Sequence, residues 1–379
     1  MPHQRWTSSA STDRSASRLA RLTRTLALAA ALAPLAAAGA QSRCGTSRAT
    51  TVCDSTPAKP PFAPTGWKTV ALDHFSIQAT DYRKEAAYYA TLMNWRLRSD
   101  DGTKAVLDVG TLGAVEIRGG YQVPPPPPAP PAAAPGADSA AGRGGRGGRG
   151  GARAPVRAVW DSFCWVIAPW NAKKVEAELV KRGLNPVADN DGKGFESFHV
   201  KDPDGFDVQI SNDAHLKERK ARAANAKLDA AAPFEGTDWK TTWLDHISFA
   251  VSNYKESTAF YAALLGWKPT GDEGDQNQTE MGDDVGNIII RGMAAAPAPG
   301  APAAPRRAVI NHVSFGITPF DADGTKNALT ARGLNAREDT GGKGDIHDAK
   351  VIYKSYHTTT PEGFDLQISN GSKENRIVK

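Results

Sequence analysis

The chain has 379 residues, 40% of them hydrophobic and 23% charged, with a formal net charge of +5. This composition excludes a wholly disordered chain, and the length is enough for two ordinary domains that each bury a core. Five arginines and one aspartate lie in the first 40 residues, which leaves about +1 for the remainder. The positive net charge of the whole chain therefore gives no reason to expect a nucleic acid partner.

Residues 1–40 are expected to be a secretory signal peptide. Arginines precede an apolar run from Leu26 to Leu35, and Ala38-Gly39-Ala40 forms a small-x-small cleavage pattern. The run is too short to span a bilayer, so no membrane anchor is expected after cleavage. The expected location is periplasmic or secreted, and a disordered alanine-rich tail is the alternative.

Cysteine usage fits an exported protein. Cys44 and Cys53 flank a short polar segment in the expected N-terminal tail, residues 41–64, where they can form a disulfide or remain two free thiols. Cys164 lies within a predicted strand, and we expect it to fill space in the core.

An internal repeat organises the rest of the chain. Five residues recur without a gap 172 positions later: Trp67, His74, Tyr82, Tyr89 and Trp95 as Trp239, His246, Tyr254, Tyr261 and Trp267. A second pair of segments matches at an offset of 150, where "RAVWDSFCWVIAP" from Arg157 corresponds to "RAVINHVSFGITP" from Arg307. The repeats predict four modules arranged as two pairs.

Each module is predicted to contain a strand, a helix and three further strands, giving a βαβββ order. In the third module the helix is predicted over Tyr254 to Leu265, with Asn253 as its N-cap and Gly266 at its end. The predicted fold class is α+β, with the four modules paired into two half-barrel domains.

The predicted domains are a first pair over 65–215 and a second pair over 237–372, joined by a helical linker over 216–236. A Pro/Gly-rich insertion, 122–155, separates the first two modules, and an Ala/Pro linker, 294–305, separates the last two. The insertion contains RGG repeats that are typical of RNA binding inside cells, but export argues against that partner.

Strand alternation places several polar side chains on the face opposite to the predicted core. In the second pair these are His246, His312 and Gln367. In the first pair they are His74, Glu116 and Gln209, and Ser162 stands where the second pair has His312. Each set converges only if its two modules close into one sheet around a shared hollow.

This pattern resembles the vicinal oxygen chelate superfamily, which includes glyoxalase I, extradiol dioxygenases and bleomycin-resistance proteins. Paired βαβββ modules carry the resemblance, together with a "DH" in the opening strands and "DPDGFDVQI" in a closing strand. It implies metal ligands from the opening and closing strands: His246, His312 and Gln367 in the second pair, and His74, Glu116 and Gln209 in the first.

Two imidazoles and one oxygen donor resemble the facial triad of non-haem iron oxygenases. The resemblance implies a divalent ion, with Fe(II) or Mn(II) expected before Zn(II) or Ni(II), and a working site in the second pair. The usual closing ligand of the family is glutamate, whereas both closing strands here offer glutamine. Where the extradiol pattern has a tyrosine, this chain has His357, and His199 in the first pair, each a candidate proton donor or extra ligand.

The expected function is that of an exported metal-dependent enzyme, extradiol-dioxygenase-like or glyoxalase-like, acting on a small molecule with vicinal oxygens. A metal-free binding or sequestering protein, similar to bleomycin-resistance proteins, is the alternative. For His246 with His312 a buried, hydrogen-bonded pair is the competing interpretation, and for His74 with Glu116 an interior salt bridge is. The two glutamines can also contact substrate through their amides.

Overall fold

The computed structural model describes residues 56–124, 157–221, 226–293 and 306–376. The expected signal peptide, Cys44 and Cys53, most of the Pro/Gly-rich insertion and all of the Ala/Pro linker lie outside the described residues. In the four described stretches, no helix combines the length and the apolar character that crossing a bilayer requires.

Four modules follow one another along the chain, each with the predicted order of one strand, one helix and three strands. The first has β1 Lys68–Ala79, α1 Tyr82–Leu92, β2 Arg96–Asp100, β3 Lys104–Val109 and β4 Gly113–Arg118. The second has β5 Ala158–Ala168, α2 Ala172–Lys181, β6 Val187–Asn190, β7 Glu196–Lys201 and β8 Asp207–Ser211. After a connecting helix, α3 Ala214–Ala221, the third has β9 Lys240–Val251, α4 Tyr254–Leu265, β10 Lys268–Asp272, β11 Gln276–Gly282 and β12 Gly286–Gly292. The fourth has β13 Ala308–Thr318, α5 Ala322–Ala331, β14 Arg337–Asp339, β15 Ser355–Thr359 and β16 Asp365–Ser369.

The helical part of the connector is shorter than predicted. It begins at Ala214 and is described as far as Ala221, whereas residues 226–236 hold no helix. Pro233 lacks a backbone N–H and disfavours helical geometry in the residue before it, while Leu228 and Phe234 pack against the core instead. The expected helical linker over 216–236 was therefore wrong in its second half.

Each pair of modules forms one eight-stranded sheet, as the predicted pairing requires. The strand orders are β2-β3-β4-β1-β5-β8-β7-β6 and β10-β11-β12-β9-β13-β16-β15-β14. The two opening strands of each pair lie antiparallel at the centre of the sheet, and each closing strand runs parallel to the opening strand of its own module. The two sheets with their helices make the predicted α+β fold of two domains, each built from a pair of modules.

Helix α4 has the ends that its sequence predicts. The Asn253 side chain accepts hydrogen bonds from the backbone N–H groups of Lys255 and Glu256, and Gly266 ends the helix in the left-handed region with φ 70°. A Cβ on Gly266 would also lie 2.4 Å from the carbonyl oxygen of Trp67. Glycine is thus needed at this position for its conformation and for close packing against the first module.

The predicted apolar faces of the strands meet in a single hydrophobic core that both domains share. Ile247, Phe249 and Val251 of β9 are fully buried there, and Phe163 of the first domain packs edge-on against Phe249. Because these side chains occupy one face of β9, the alternate residues, including His246, are directed to the other face. The shared core is what fixes the position of the polar face in each sheet.

Candidate metal centre

Strand pairing in the second sheet aligns four polar side chains in one row on the face opposite to the core. His246 of β9 lies beside Ser314 of β13, Ser314 lies beside Gln367 of β16, and Gln367 lies beside His357 of β15. Residues that are directly paired across neighbouring strands point to the same side of a sheet. The register of the strand pairs therefore places His246 and Gln367 of the closing strand on the same face of the sheet, as expected.

His312 belongs to the neighbouring row, where it lies between Ser248 and Asp365. A register shift in the β9–β13 pair falls between Ile310 and His312. Such a bulge turns the strand locally and changes the direction of a side chain. His312 is brought in this way against His246 although Ser314, not His312, is the paired neighbour of His246.

The two histidine rings face each other through their Nε2 atoms. His246 Nε2 and His312 Nε2 lie 3.0 Å apart, and the rings are inclined at 80°. Two nitrogens held about 2.1 Å from one ion, and about 90° apart around it, are separated by about 3.0 Å. The separation equals that of two adjacent nitrogen ligands of one metal ion, and it also suits a direct hydrogen bond.

Asp245 fixes the orientation of His246. Its Oδ2 lies 3.0 Å from Nδ1 of His246, and it also accepts from the Ser314 hydroxyl at 3.0 Å and the Tyr353 hydroxyl at 2.7 Å. Because a carboxylate only accepts, Nδ1 of His246 carries the proton and Nε2 presents a lone pair. Histidines that bind metals usually donate their other N–H to a carboxylate in this way.

His312 is held in its neutral form. Burial lowers its pKa well below the usual value, and the nearby basic side chains of His246, His357, Arg291 and Arg337 lower it further. Neutral imidazole is the form that binds a metal ion. Two imidazole nitrogens are therefore directed at one small region, and burial keeps the His312 ring neutral.

Gln367 supplies the third donor of the expected set. Its amide nitrogen donates to the hydroxyls of Ser355, at 2.7 Å, and Tyr353, at 3.2 Å. Its carbonyl oxygen is buried and has no hydrogen-bond partner among the described residues. Leaving a buried carbonyl unpaired is costly, so this oxygen fits a role as a ligand. The donor set of His246, His312 and Gln367 suits a divalent ion.

His357 is positioned to act as an acid rather than as a ligand. Its Nδ1 lies 2.9 Å from Asp365 and its Nε2 lies 3.1 Å from Asp339, so both ring nitrogens are engaged with carboxylates. Burial alone would lower its pKa, but the two hydrogen bonds outweigh burial and raise it. Carboxylates at both ring nitrogens favour the protonated form, and the ring centroid lies 5.1 Å from that of His312.

Sequence reasoning missed Asp339 and Asp365. Asp365 also has a carboxylate oxygen within 4.8 Å of the nearest ring nitrogens of His312 and His357, which makes it a second oxygen donor near the site. The repeat contains the signal, because Asp207 follows His199 by eight residues, as Asp365 follows His357, and Asp189 corresponds to Asp339 at the offset of 150. There Asp207 lies 3.1 Å from His199 and Asp189 lies 3.8 Å away.

The equivalent region of the first domain holds a network of ion pairs. Nδ1 of His74 lies 2.8 Å from Asp73, which also binds His215 at 3.1 Å and Arg219 at 3.5 Å, both from helix α3. Helix α3 thus inserts two basic side chains where the second domain has Tyr353 and Ser314 around Asp245.

The remaining first-domain candidates also have protein partners. Glu116 forms an ion pair with Lys104 at 2.9 Å, and Gln209 donates to Ser197 at 2.8 Å. Burial acts to lower the pKa of His74, yet Glu116 and Asp73 raise it overall. The structure therefore assembles His74, Glu116 and Gln209 into a charged interior, and Ser162 adds no second imidazole.

Comparisons with known proteins agree with this architecture. A sequence model of the Glyoxalase/Bleomycin resistance protein/Dioxygenase superfamily matches residues 243–368. No curated protein matches the chain. Among solved structures, the Mn(II)-bound glyoxalase from Novosphingobium aromaticivorans is similar with a TM-score of 0.52 and 15% identity, over 80% of this chain and 82% of that one.

Two dioxygenases are similar to the same degree. The 2,3-dioxygenase LapB from Pseudomonas sp. KL28 has a TM-score of 0.50 and 13% identity, over 80% of this chain and 93% of that one. An extradiol ring-cleaving dioxygenase from B. fuscum has a TM-score of 0.50 and 13% identity, over 84% of this chain and 75% of that one. At this identity the likeness concerns the fold alone. The resemblance to the vicinal oxygen chelate superfamily is confirmed: residues 243–368 match the model of the Glyoxalase/Bleomycin resistance protein/Dioxygenase superfamily, and the two domains of the chain have its fold.

Proposed function

We propose that the protein is a metal-dependent enzyme whose working site lies in the second domain. The observation that carries this proposal is the 3.0 Å separation of the Nε2 atoms of His246 and His312, with Asp245 holding the proton of His246 on Nδ1. The unpartnered carbonyl oxygen of Gln367 supports it. A divalent ion bound here supplies Lewis acidity toward two neighbouring oxygens of a small molecule and, if it is Fe(II) or Mn(II), redox chemistry.

The side chains around the pair have separate tasks in this proposal. Asp245 keeps His246 in one tautomer, and burial keeps His312 neutral. The imidazolium of His357 holds a proton between Asp365 and Asp339, from which it can be given to a substrate oxygen. His199 has the same type of partners in the first domain, but it faces no histidine pair.

The reaction class is proposed as extradiol-dioxygenase-like or glyoxalase-like, on a substrate with vicinal oxygens. Structural neighbours of both kinds support this range, and one of them was solved with Mn(II). The neutral amide of Gln367 leaves a bound divalent ion with one more net positive charge than a glutamate would. We propose Fe(II) or Mn(II) before Zn(II) or Ni(II), and a silent first domain whose His74 is held in ion pairs.

The test is metal stoichiometry of the purified mature protein after loading with Fe(II) or Mn(II), measured by mass spectrometry. We expect one ion per chain, and less than about a tenth of that in a His246→Ala, His312→Ala double variant. His347→Ala is the matched control, because His347 is exposed in the same domain. Two ions per chain would contradict the silent first domain, and none would remove the proposal. An aerobic screen with catechol-type compounds then tests the reaction class.

A metal-free binding protein is the second candidate. It is favoured by one observation, that the His246–His312 separation also suits a hydrogen bond between the rings. In that case the double alanine variant retains full affinity for a small-molecule ligand, and metal loading leaves the affinity unchanged.

We also propose that the protein is exported to the periplasm or beyond the cell. Support comes from the arginines, the apolar run and the Ala38-Gly39-Ala40 pattern near the N-terminus. Fractionation of the producing cells, with N-terminal sequencing of the mature chain, tests it. Uncleaved protein in the cytoplasm would contradict it.

A further inference from the structure

A cavity of about 510 Å³ opens on the polar face of the second sheet. Arg291 of β12, Ala250 of β9 and Val309 of β13 lie side by side across it, and its lining also includes Arg307 and Asn311. Ala250 is two residues beyond Ser248 on β9, so it points to the same side of the sheet. Two residues of a strand span about 7 Å, which places the cavity one row away from His312.

Arg291 connects this cavity to the histidine pair. Its Nε donates to the Ser248 hydroxyl at 2.9 Å, and Ser248 is the paired neighbour of His312. Its Nη1 donates to the side-chain oxygen of Gln276. Its Nη2 has no hydrogen bond within the described part of the chain. The guanidinium is half-buried and fixed on one edge, with donors left over on the other.

Arg307 supplies a second positive charge at the same cavity. Its backbone is held by Ser252, with the backbone N–H donating to the Ser252 hydroxyl at 3.0 Å. Its exposed guanidinium makes no ion pair to any residue in the described ranges. Two guanidinium groups with spare donors therefore line one opening, next to the apolar surface of Val309, which is 39% exposed.

The first domain provides an internal comparison. Arg118 lies beside Gln78 there, as Arg291 lies beside Ala250 in the second domain. Arg118 forms an ion pair with Asp161, whose counterpart at the offset of 150 is Asn311. In the second domain Asn311 thus replaces the counter-ion Asp161, and Ala250 replaces the larger side chain of Gln78. The first domain has a cavity of about 450 Å³ at this place, so the difference lies in charge: the replacements leave the Arg291 guanidinium without that partner.

Nearby acids set the charge that this site prefers. Glu273, Asp275 and Asp339 interact electrostatically with Arg291, but none of them forms an ion pair with it within the described ranges. Glu273 is engaged by the amides of Gln276 and Gln278. A doubly charged phosphate would be repelled by these acids more strongly than a singly charged carboxylate. The forked N–H groups of arginine also match a carboxylate in a bidentate manner.

We infer that Arg291, with Arg307 and Asn311, binds the carboxylate of an anionic substrate whose vicinal oxygens are placed at His246 and His312. The position of the vicinal oxygens rests on the proposed function, whereas the carboxylate site rests on the cavity alone. The substrate class is a small carboxylic acid, with its apolar body lying along Ala250 and Val309. The substrate thus reaches across the sheet from Arg291 and Arg307 at one end to His246 and His312 at the other.

Titrations with three probes test this inference at constant ionic strength: 3,4-dihydroxybenzoate and catechol with the Mn(II)-loaded protein, and benzoate with the metal-free protein. We expect Asn311→Asp, which restores the acid of the first domain, to weaken 3,4-dihydroxybenzoate binding about tenfold to a hundredfold and to change catechol binding less than about twofold. Arg291→Gln should have the same selective effect. Arg118→Gln in the first domain is the matched control and should change neither.

The outcomes separate this inference from the proposed function. Benzoate binding that depends on Arg291, in a protein that takes up no metal, would keep the carboxylate site and remove the metal proposal. Metal uptake and catechol binding with no advantage for the carboxylate would overturn the inference alone. It is also overturned if both variants weaken the binding of catechol and of 3,4-dihydroxybenzoate equally. Tighter binding of inorganic phosphate than of benzoate at this site would overturn it as well.

Discussion

The indole nitrogen of Trp95 donates a hydrogen bond of 2.8 Å to the hydroxyl of Thr241, which lies 146 residues further along the chain. The repeat makes this contact reciprocal, because the indole of Trp267 donates to the hydroxyl of Thr69 at 2.9 Å. Each domain thus provides the acceptor for a buried tryptophan of the other. Together with the shared hydrophobic core, these bonds join the two domains into one folding unit.

Replacement of Thr241 by valine should destabilise both domains together. Valine keeps the shape of threonine but leaves the Trp95 N–H buried without an acceptor, which costs about 1–3 kcal/mol in the free energy of unfolding. Urea unfolding followed by tryptophan fluorescence and by circular dichroism should show one transition, shifted to lower urea.

Thr279→Val is the matched control for this prediction. Thr279 is also fully buried, but its hydroxyl has no hydrogen-bond partner among the described residues, so valine removes no bond. We expect this variant to be neutral or slightly stabilised. Equal destabilisation of the two variants, or two separate transitions in Thr241→Val, would contradict the role given to the Trp95–Thr241 bond.

A buried carboxyl between the domains predicts the pH dependence of stability. Glu85 of α1 is fully buried and accepts a 3.1 Å hydrogen bond from the backbone N–H of Glu362. Burial raises the pKa of Glu85 from 4.5 to about 7, and the charge of Glu362 adds to this increase. The folded state therefore keeps a proton that the unfolded state loses between about pH 4.5 and pH 7.

The sign follows from this difference in proton binding. The stabilisation associated with Glu85 is complete below about pH 4.5 and is lost as the pH rises through about 7, by about 3 kcal/mol in total. Glu85→Gln removes this dependence. The stability of the variant relative to the wild type should be about 2 kcal/mol more favourable at about pH 8 than at about pH 5.5.

Exposed Glu176→Gln serves as the control for the pH measurement. It should not reproduce the pH-dependent difference of Glu85→Gln, because the side chain of Glu176 is exposed. Urea midpoints at the two pH values check both variants. A constant difference for Glu85→Gln would show that Glu85 is ionised in the folded protein throughout this range.

Sequence alone predicted those features that depend on periodicity. The βαβββ order, the ends of α4 and the buried faces of strands such as β9 follow from alternation, capping residues and a gapless repeat. The approach of His312 to His246 depends on a bulge in β13, and no residue pattern shows that register shift. The insertion of His215 and Arg219 beside Asp73 depends on where α3 packs, which is a tertiary contact between residues far apart in sequence.

Gln367→Glu should increase metal affinity. A carboxylate at this position adds a negative charge to two neutral imidazoles, and a divalent ion with oxygen and nitrogen ligands is bound more strongly by the charged set. We expect the dissociation constant for Mn(II), measured by competition with a chelator, to fall at least about tenfold. Without metal the variant should melt at a lower temperature than the wild type, because the buried carboxylate then lies beside the hydroxyls of Ser355 and Tyr353 and near Asp245.

Gln209→Glu tests whether this gain is specific to the second domain. Gln209 occupies the same place in the first domain, but no histidine pair lies beside it, so the variant should bind metal no better than the wild type. A gain in both variants would indicate that the first domain also binds an ion. Unchanged affinity in Gln367→Glu would exclude residue 367 as a ligand position.

Gly316 of β13 is predicted to be essential for the close packing behind Asp245. A Cβ on Gly316 would lie 2.0 Å from the carbonyl oxygen of Gly371, and one on Gly371 would lie 2.8 Å from Oδ1 of Asp245. Because the first contact is with backbone, it cannot be relieved by a side-chain rotation. Gly316→Ala should therefore cost about 1–3 kcal/mol or more in the free energy of unfolding and displace the segment that packs on Asp245.

Since Asp245 orients His246, the metal affinity of Gly316→Ala should fall as well. Gly271→Ala is the control: its new Cβ meets no atom within 4 Å, so stability and metal affinity should both stay unchanged. Loss of stability with unchanged metal affinity would show that Asp245 keeps its position without this packing.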